Sequence, residues 1–147
     1  MRRLAFLFCA TLLAGPAFAL DYLSVAEATA LYDAPSIKAK PLFAIAAGTP
    51  VELVVAVEGW VKVRDQKGDL AWIEKRLLTD KRTLIVRVDR AQVRGEANDK
   101  ALLVFEAAQD VVLELLEPAP INAGGWVKVR HRDGQQGFVK VAQVWGL

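Results

Sequence analysis

Apolar and polar residues alternate with a period of two in two stretches of the chain, and this period predicts β-strands. In the first stretch, Val61 and Val63 alternate with Trp60, Lys62 and Arg64. Because successive side chains of a strand point to opposite faces, the valines are expected to face a core and the other three to face outward. A second stretch with the same letters begins at Trp126.

The alternating stretches belong to an internal repeat. Gly-Trp-Val-Lys-Val-Arg occurs at residues 59–64 and again, letter for letter, at residues 125–130. An identity of this length that includes a tryptophan indicates two copies of one unit, and a period of about 60 residues is typical of two small domains rather than of a solenoid. We place these domains at residues 20–80 and 81–147. Domains this small bury little of their surface alone, so the two are expected to share an interface.

The spacing of the matched blocks changes along the repeat. Blocks beginning at Ala30 and Ala46 match blocks beginning at Ala91 and Ala107, so the offset in residue number between the two copies is 61 in these blocks. The offset between the two hexapeptides is 66. The second copy is therefore expected to contain five extra residues, in or near residues 117–124. The Pro, Asn and Gly content of that segment is typical of a loop between strands.

Further strands and turns predict the fold class. Residues 51–57 and 111–116 are apolar runs of strand length, and turn-forming residues occupy 65–69 and 132–135. Residues 24–31 are assigned as an opening strand from the repeat, although their alanine content also suits a helix. The chain is thus predicted to be all-β, with two tandem, partly open β-barrels of about five strands each.

The order of motifs in each copy resembles the bacterial SH3-like (SH3b) domain family. A turn is followed by Gly-Trp-x-Lys-Val-Arg, then Asp-x-x-Gly, then Gly-Trp/Phe-Val/Ile, and the resemblance covers both copies. It implies small barrels that bind cell-wall peptides or act as interaction modules, often attached to wall hydrolases. Copy one differs by Ala71 where the family has glycine, and neither copy has the Pro-x-x-Tyr of polyproline-binding domains.

The first nineteen residues have the pattern of a signal peptide. Two arginines precede an apolar stretch at residues 4–13 that is too short to span a bilayer, and a small-x-small cleavage site ends at Ala19. We expect export by the general secretory route, cleavage after Ala19, and a periplasmic or secreted protein. Cleavage would also remove Cys9, the only cysteine, so no disulfide or thiolate is expected in the mature chain.

The charge of the mature chain argues against nucleic acid as a partner. Removal of the leader takes away two of 19 Lys and Arg residues and leaves 17, which equals the 17 Asp and Glu residues. Affinity for nucleic acid depends on neutralising phosphates, and a neutral chain without a basic stripe lacks that property. No later segment is long and apolar enough to predict a transmembrane helix.

The sequence predicts no enzyme activity, no cofactor and no metal site. Nucleophilic catalysis needs a base next to the nucleophile, and His131 is the only histidine. Two arginines flank it in a predicted turn, which favours a structural or solvent-facing role. The acidic residues of copy one are dispersed over strand ends and turns, where they are expected to be solvated rather than paired for hydrolysis.

The aromatic side chains and their cationic neighbours are the candidate ligand-binding residues. Aromatic rings stack on sugars and apolar peptide groups, and Lys and Arg pair with carboxylates such as those of stem peptides. The candidates are Tyr32, Trp60, Lys62, Arg64 and Trp72 in copy one, and Trp126, Lys128, Arg130 and Phe138 in copy two. In the alternative interpretation, the repeated tryptophans close one end of each barrel and the Lys and Arg stems pack on the rings.

These observations favour a non-catalytic, exported binding module of the cell envelope that contacts peptidoglycan or its stem peptides. The alternative is a periplasmic adaptor that has no affinity for the wall and binds a partner protein through a free face or an exposed sheet edge. The sequence leaves open which barrel binds and whether the protein forms oligomers.

Overall fold

The computed structural model describes residues 21–116 and 125–147. Its elements are strands and two short 3₁₀ turns, so the all-β class is confirmed. The predicted signal peptide, residues 1–19, and the predicted insertion at residues 117–124 lie outside the described residues.

The described strands form two antiparallel sheets that follow one another along the chain. The first contains β1 (Tyr22–Val25), β2 (Thr29–Tyr32), β3 (Pro41–Ile45), β4 (Pro50–Val57), β5 (Trp60–Arg64), β6 (Leu70–Glu74) and β7 (Leu78–Thr79), in the spatial order β3-β2-β6-β5-β4-β1-β7. The second contains β8 (Thr83–Val86), β9 (Arg90–Arg94), β10 (Leu103–Ala108), β11 (Val112–Leu115), β12 (Trp126–Arg130), β13 (Gln136–Lys140) and β14 (Val144–Trp145), in the order β10-β9-β13-β12-β11-β8-β14. The 3₁₀ turns, Lys75–Leu77 and Val141–Gln143, precede the last strand of each sheet. We call the two sheets with their loops the first and second units.

The number of strands differs from the prediction of about five in each unit. Each described sheet has seven strands, and its first and last strands in space do not pair with each other, so the sheets are open rather than closed. The predicted opening strand at residues 24–31 is divided, since β1 ends at Val25 and β2 begins at Thr29. The Val25 N–H donates to the Thr49 carbonyl, and the Ala26 N–H donates to the Leu77 carbonyl.

Each unit has its own apolar core. Val61 and Val63 are buried in the first unit, and Val127 and Val129 are buried in the second, as their alternation predicted. The largest fully buried side chains around them include Leu31, Val51, Ile73, Leu84, Val93 and Leu113.

The strand register corrects the alignment of the two copies. Leu31 in β2 and Val93 in β9 are both buried, and each lies opposite a phenylalanine of the next strand. The following turns contain Gly48 with φ 82° and Asp110 with φ 68°, the latter a left-handed conformation uncommon outside glycine. Both pairs give an offset of 62 in residue number, so the predicted offset of 61 for these blocks is wrong by one. A slip of one residue would turn every side chain of a strand to the opposite face, which is why the register fixes the alignment.

The extra residues of the second copy consequently fall in two places. The offset is 61 in the opening strands, since the Gly48 N–H donates to the Val25 carbonyl and the Asp110 N–H donates to the Val86 carbonyl. The offset becomes 62 after β8 and rises to 66 at β12. One extra residue therefore lies between β8 and β9, and four lie between β11 and β12.

The two units contact each other along a seam, as expected for units of this size. The rings of Tyr22 and Trp145 meet edge to face with centroids 5.1 Å apart. The Arg82 guanidinium of the second unit lies 5.7 Å from the Tyr22 ring centroid of the first. Within its own unit, Arg82 is held by a hydrogen bond to the Gly146 carbonyl at 2.7 Å. The hydroxyl of Ser24 donates to the Lys81 carbonyl at 2.6 Å. These contacts hold the two units against each other.

The seam is expected to weaken in alkali. Burial and, next, the charge of Glu52 raise the pKa of Tyr22 above its ordinary value of 10.0, although Arg82 and Arg64 oppose the shift. The folded protein therefore keeps this proton at a pH where the unfolded chain has lost it, and the resulting stability is present below pH 10 and declines as the pH rises above it. In urea unfolding, the free energy of unfolding of Tyr22→Phe should therefore fall less than that of the wild type as the pH rises above 10. If the wild type and Tyr22→Phe lost the same stability over this pH range, the prediction would be contradicted.

Candidate functional site

Three strands of the first unit bring four candidate side chains together. β2, β6 and β5 are neighbours in the sheet, and Trp72 in β6 lies opposite both Tyr32 and Lys62. The Tyr32 and Trp60 rings meet edge to face with centroids 5.7 Å apart, and the Lys62 Nζ lies 6.0 Å from the Trp72 ring centroid. All four side chains are partly exposed. We call this set, Tyr32, Trp60, Lys62 and Trp72, the aromatic face.

Arg64 is held away from this group by an ion pair. Its Nη1 donates to Glu52 Oε2 at 2.9 Å, and Glu52 is only 7% exposed. Arg130 makes the equivalent contact in the second unit, where its Nη2 lies 2.7 Å from Glu114 Oε2. Both arginines therefore neutralise a carboxylate of their own unit, a role that the sequence analysis did not assign to them.

The two ion pairs predict different losses of stability. Arg64→Gln leaves a nearly buried carboxylate without its cation and is expected to cost about 2 kcal/mol, whereas Arg130→Gln should cost less than about 1 kcal/mol because Glu114 is better hydrated. Urea unfolding of the two variants provides the comparison. Equal losses would show that the burial of the carboxylate does not determine the cost.

Trp126 lies on the predicted face of β12, on the opposite side from the core residue Val127, but it is buried rather than exposed. Its exposure is 5%, and the Lys140 Nζ lies 5.4 Å from its ring centroid. Lys140 is also paired with Asp99, its Nζ lying 2.6 Å from Oδ1. In the first unit Glu74 occupies the position of Lys140 and pairs instead with Arg76. A lysine of the adjacent strand thus lies near the ring of the second tryptophan, where the first unit has a glutamate.

The remaining candidates of the second unit do not rebuild the aromatic face. The Lys128 Nζ lies 6.0 Å from the Phe138 ring centroid, which repeats the contact of Lys62 with Trp72. However, Phe138 lies opposite Arg94, so an arginine takes the place that Tyr32 has in the first unit. Arg94 donates to the Ala101 carbonyl and to the side chain of Gln92.

Comparison with protein families identifies both units. The sequence model of the bacterial SH3 domain matches residues 25–80 and again residues 87–146. The chain belongs to the bacterial SH3 domain family. The resemblance seen in the sequence is confirmed, and the two matched regions fall within the first and second units, respectively, which we now call SH3 units.

Solved structures show a looser similarity to this pair of SH3 units. NlpC2 from Trichomonas vaginalis is 14% identical with a TM-score of 0.38, and the match covers 86% of this chain and 48% of that one. NlpC1 from the same organism is 15% identical with a TM-score of 0.39, covering 89% and 48%. An NlpC/P60 family protein from Bacillus cereus is 15% identical with a TM-score of 0.39, covering 85% and 56%. The chain therefore spans about half the length of each of these proteins. No curated protein matches the sequence.

Sequence reasoning missed the residues that make the two SH3 units different. The predicted offset of 61 aligns Arg94 with Asp33, whereas the corrected offset of 62 aligns Arg94 with Tyr32. Nothing in the repeated hexapeptide distinguishes Trp60 from Trp126. One difference lies on the neighbouring strand, where Glu74 in the first unit corresponds to Lys140 in the second, and a comparison at the offset of the hexapeptides could have indicated it.

Within residues 21–116 and 125–147, no three His, Cys, Asp or Glu side chains are grouped in a way that could hold a metal ion. No helix in the same ranges is long and apolar enough to cross a membrane.

Proposed function

We propose that this protein is a non-catalytic binding module of the bacterial cell envelope, and that its first SH3 unit contacts peptidoglycan. The observation that carries this proposal is the convergence of Tyr32, Trp60, Lys62 and Trp72 on three adjacent strands with partly exposed rings. A core tryptophan would be covered, as Trp126 is.

The aromatic face has the chemistry that a wall fragment requires. Indole and phenol faces stack on the apolar side of sugars and on peptide groups, and their N–H and O–H edges donate hydrogen bonds. Lys62 adds a positive charge beside Trp72 that can pair with a stem-peptide carboxylate. Because Arg64 is already paired with Glu52, Lys62 is the candidate cation of the first unit that pairs with the stem-peptide carboxylate.

The proposal includes the location of the protein. We infer export by the general secretory route with cleavage after Ala19, followed by domains at residues 20–80 and 81–147. The matched family supports a wall-associated role, since such domains commonly contact the cell wall, and the second SH3 unit then acts mainly as a support for the first.

The test is sedimentation of the mature protein with purified insoluble peptidoglycan. Binding should be competed by soluble muropeptides, which occupy the same face, and weakened by salt, which screens the contact between Lys62 and a carboxylate. The control is an insoluble polysaccharide without peptide, such as cellulose. Absence of the protein from the peptidoglycan pellet would refute the proposal.

A second candidate is an adaptor that binds a partner protein. Three valines of β4, Val54, Val55 and Val57, are 37–45% exposed, and apolar side chains grouped on a surface often mark protein contacts. This function predicts that the protein stays in the supernatant of the peptidoglycan assay and can be crosslinked to a defined envelope protein. Replacement of Val55 with lysine would then abolish crosslinking.

A further inference from the structure

A cleft opens where the first SH3 unit meets the second. It has a volume of about 460 Å³ and is lined by Phe43 and Ile45 of β3, and by Asp65 and Asp69 of the turn between β5 and β6. Asp110, from the turn between β10 and β11 of the second unit, closes one side. The Gln66 Nε2 donates to Asp110 Oδ1 at 2.7 Å, so a direct hydrogen bond connects the two units at the rim.

The second unit has an equivalent cleft that is lined by different polar residues. A cavity of about 320 Å³ is lined by Phe105, which is the counterpart of Phe43 in the equivalent strand at the corrected offset. His131 and Gln135 occupy the positions of Asp65 and Asp69, respectively, in the turn between β12 and β13. The two phenylalanines thus mark equivalent apolar sites in the two units.

A third cavity connects these two sites. It has a volume of about 400 Å³, shares Asp110 with the cleft of the first unit, and shares Val111 and His131 with the cleft of the second. The three cavities therefore adjoin one another across the seam. We call them together the seam groove.

The charge of the seam groove departs from that of the chain. Its carboxylates are Asp65, Asp69, Asp110, Asp133 and Glu106, of which Glu106 is paired with Arg90 and Asp133 contacts His131. In the described parts of the chain, Lys67 and Arg132 are the only Lys or Arg residues that line it. The backbone N–H of Gln135 and, to a smaller extent, His131 lower the pKa of Asp133, so this carboxyl stays ionised. The groove is acidic in a protein whose predicted mature charge is balanced.

We propose that the seam groove binds an extended, basic segment of a partner protein. Apolar side chains of the segment would enter the cavities at Phe43 and Phe105, and its Lys or Arg side chains would pair with Asp69 and Asp110 between them. Complementary charge favours a cationic partner over an anionic one, and an extended chain fits a row of small cavities better than a compact ligand does. The groove shares no residue with the aromatic face, so this inference does not depend on peptidoglycan binding.

The test uses the mature protein and a dye-labelled synthetic peptide of alternating lysine and phenylalanine. The control peptide alternates glutamate and phenylalanine, with the same length and label. The groove variant is Asp69→Asn with Asp110→Asn, because asparagine tolerates the left-handed backbone of residue 110 and still accepts the Gln66 hydrogen bond. The matched variant, Asp80→Asn with Asp89→Asn, removes the same charge outside the groove.

The expected result is binding of the cationic peptide, about tenfold weaker in the groove variant and changed less than about twofold in the matched variant. Chemical-shift changes should appear at the amides of Gln66 and Asp110 and not at the Trp60 and Trp72 indoles. Three results would overturn the inference: equal affinity for both peptides, equal losses in the two variants, or shift changes confined to the aromatic face.

Discussion

Replacing Gly137 with alanine is expected to lower the free energy of unfolding by about 3 kcal/mol, because the new methyl group meets atoms that cannot move aside. A Cβ at this position would lie 2.5 Å from the Arg94 carbonyl oxygen and 2.7 Å from Val93 Cγ1. The first is backbone of the adjacent strand β9, so relief requires β9 and β13 to separate. The loss should appear in urea unfolding as a lower midpoint with an unchanged slope.

The first SH3 unit supplies the matched control. Ala71 is the counterpart of Gly137 at the offset of the hexapeptides, is 2% exposed, and occupies the same place in its sheet. That sheet already contains a methyl group there, so Ala71→Gly should cost only about 1 kcal/mol, mainly through strand propensity and lost burial. If Gly137→Ala changed stability by less than about 0.5 kcal/mol, the close approach of β9 to Gly137 would be contradicted.

The two tryptophans of the repeated hexapeptide are expected to respond oppositely to replacement by alanine. Trp126 is buried and covered by Lys140, so Trp126→Ala should cost about 3 kcal/mol through the cavity that it leaves. Trp60 is partly exposed and contacts Tyr32 edge to face. Trp60→Ala should therefore weaken peptidoglycan binding at least about tenfold while costing less than about 1.5 kcal/mol of stability.

Sedimentation with peptidoglycan and urea unfolding of both variants separate these outcomes. Trp126→Ala must be assayed at a temperature where unfolding shows it to be folded, and it should then sediment like the wild type. A Trp60→Ala protein that binds normally but has lost as much stability as Trp126→Ala would show that Trp60 closes the core rather than binds a ligand.

The sequence predicted the fold more closely than the site. Alternation correctly placed Val61, Val63, Val127 and Val129 in the two cores, because a strand exposes one face to each side. The same alternation gave the correct face for Trp126, but the expectation that this face would be exposed at Trp126 was wrong. Burial of a side chain depends on what the adjacent strand contributes, and Lys140 is fourteen residues away in sequence.

The alignment of the copies failed by one residue for a related reason. Matching letters at Ala30 and Ala46 concealed the extra residue between β8 and β9, and only the strand pairing fixes which residues share a face. The corrected register replaces Tyr32 with Arg94 in the second unit. It also aligns Glu52 with Glu114, which explains why both arginines of the hexapeptides are paired. These differences support the proposal that the binding site lies in the first unit, a choice that the sequence left open.

The most direct measurement of the central claim is a titration of the mature protein with soluble muropeptides, followed by the indole N–H resonances of its four tryptophans. Binding at the aromatic face predicts progressive shifts of the Trp60 and Trp72 signals, while the buried Trp126 and the seam residue Trp145 stay unchanged. Absence of any shift, or shifts confined to Trp126 and Trp145, would contradict the account.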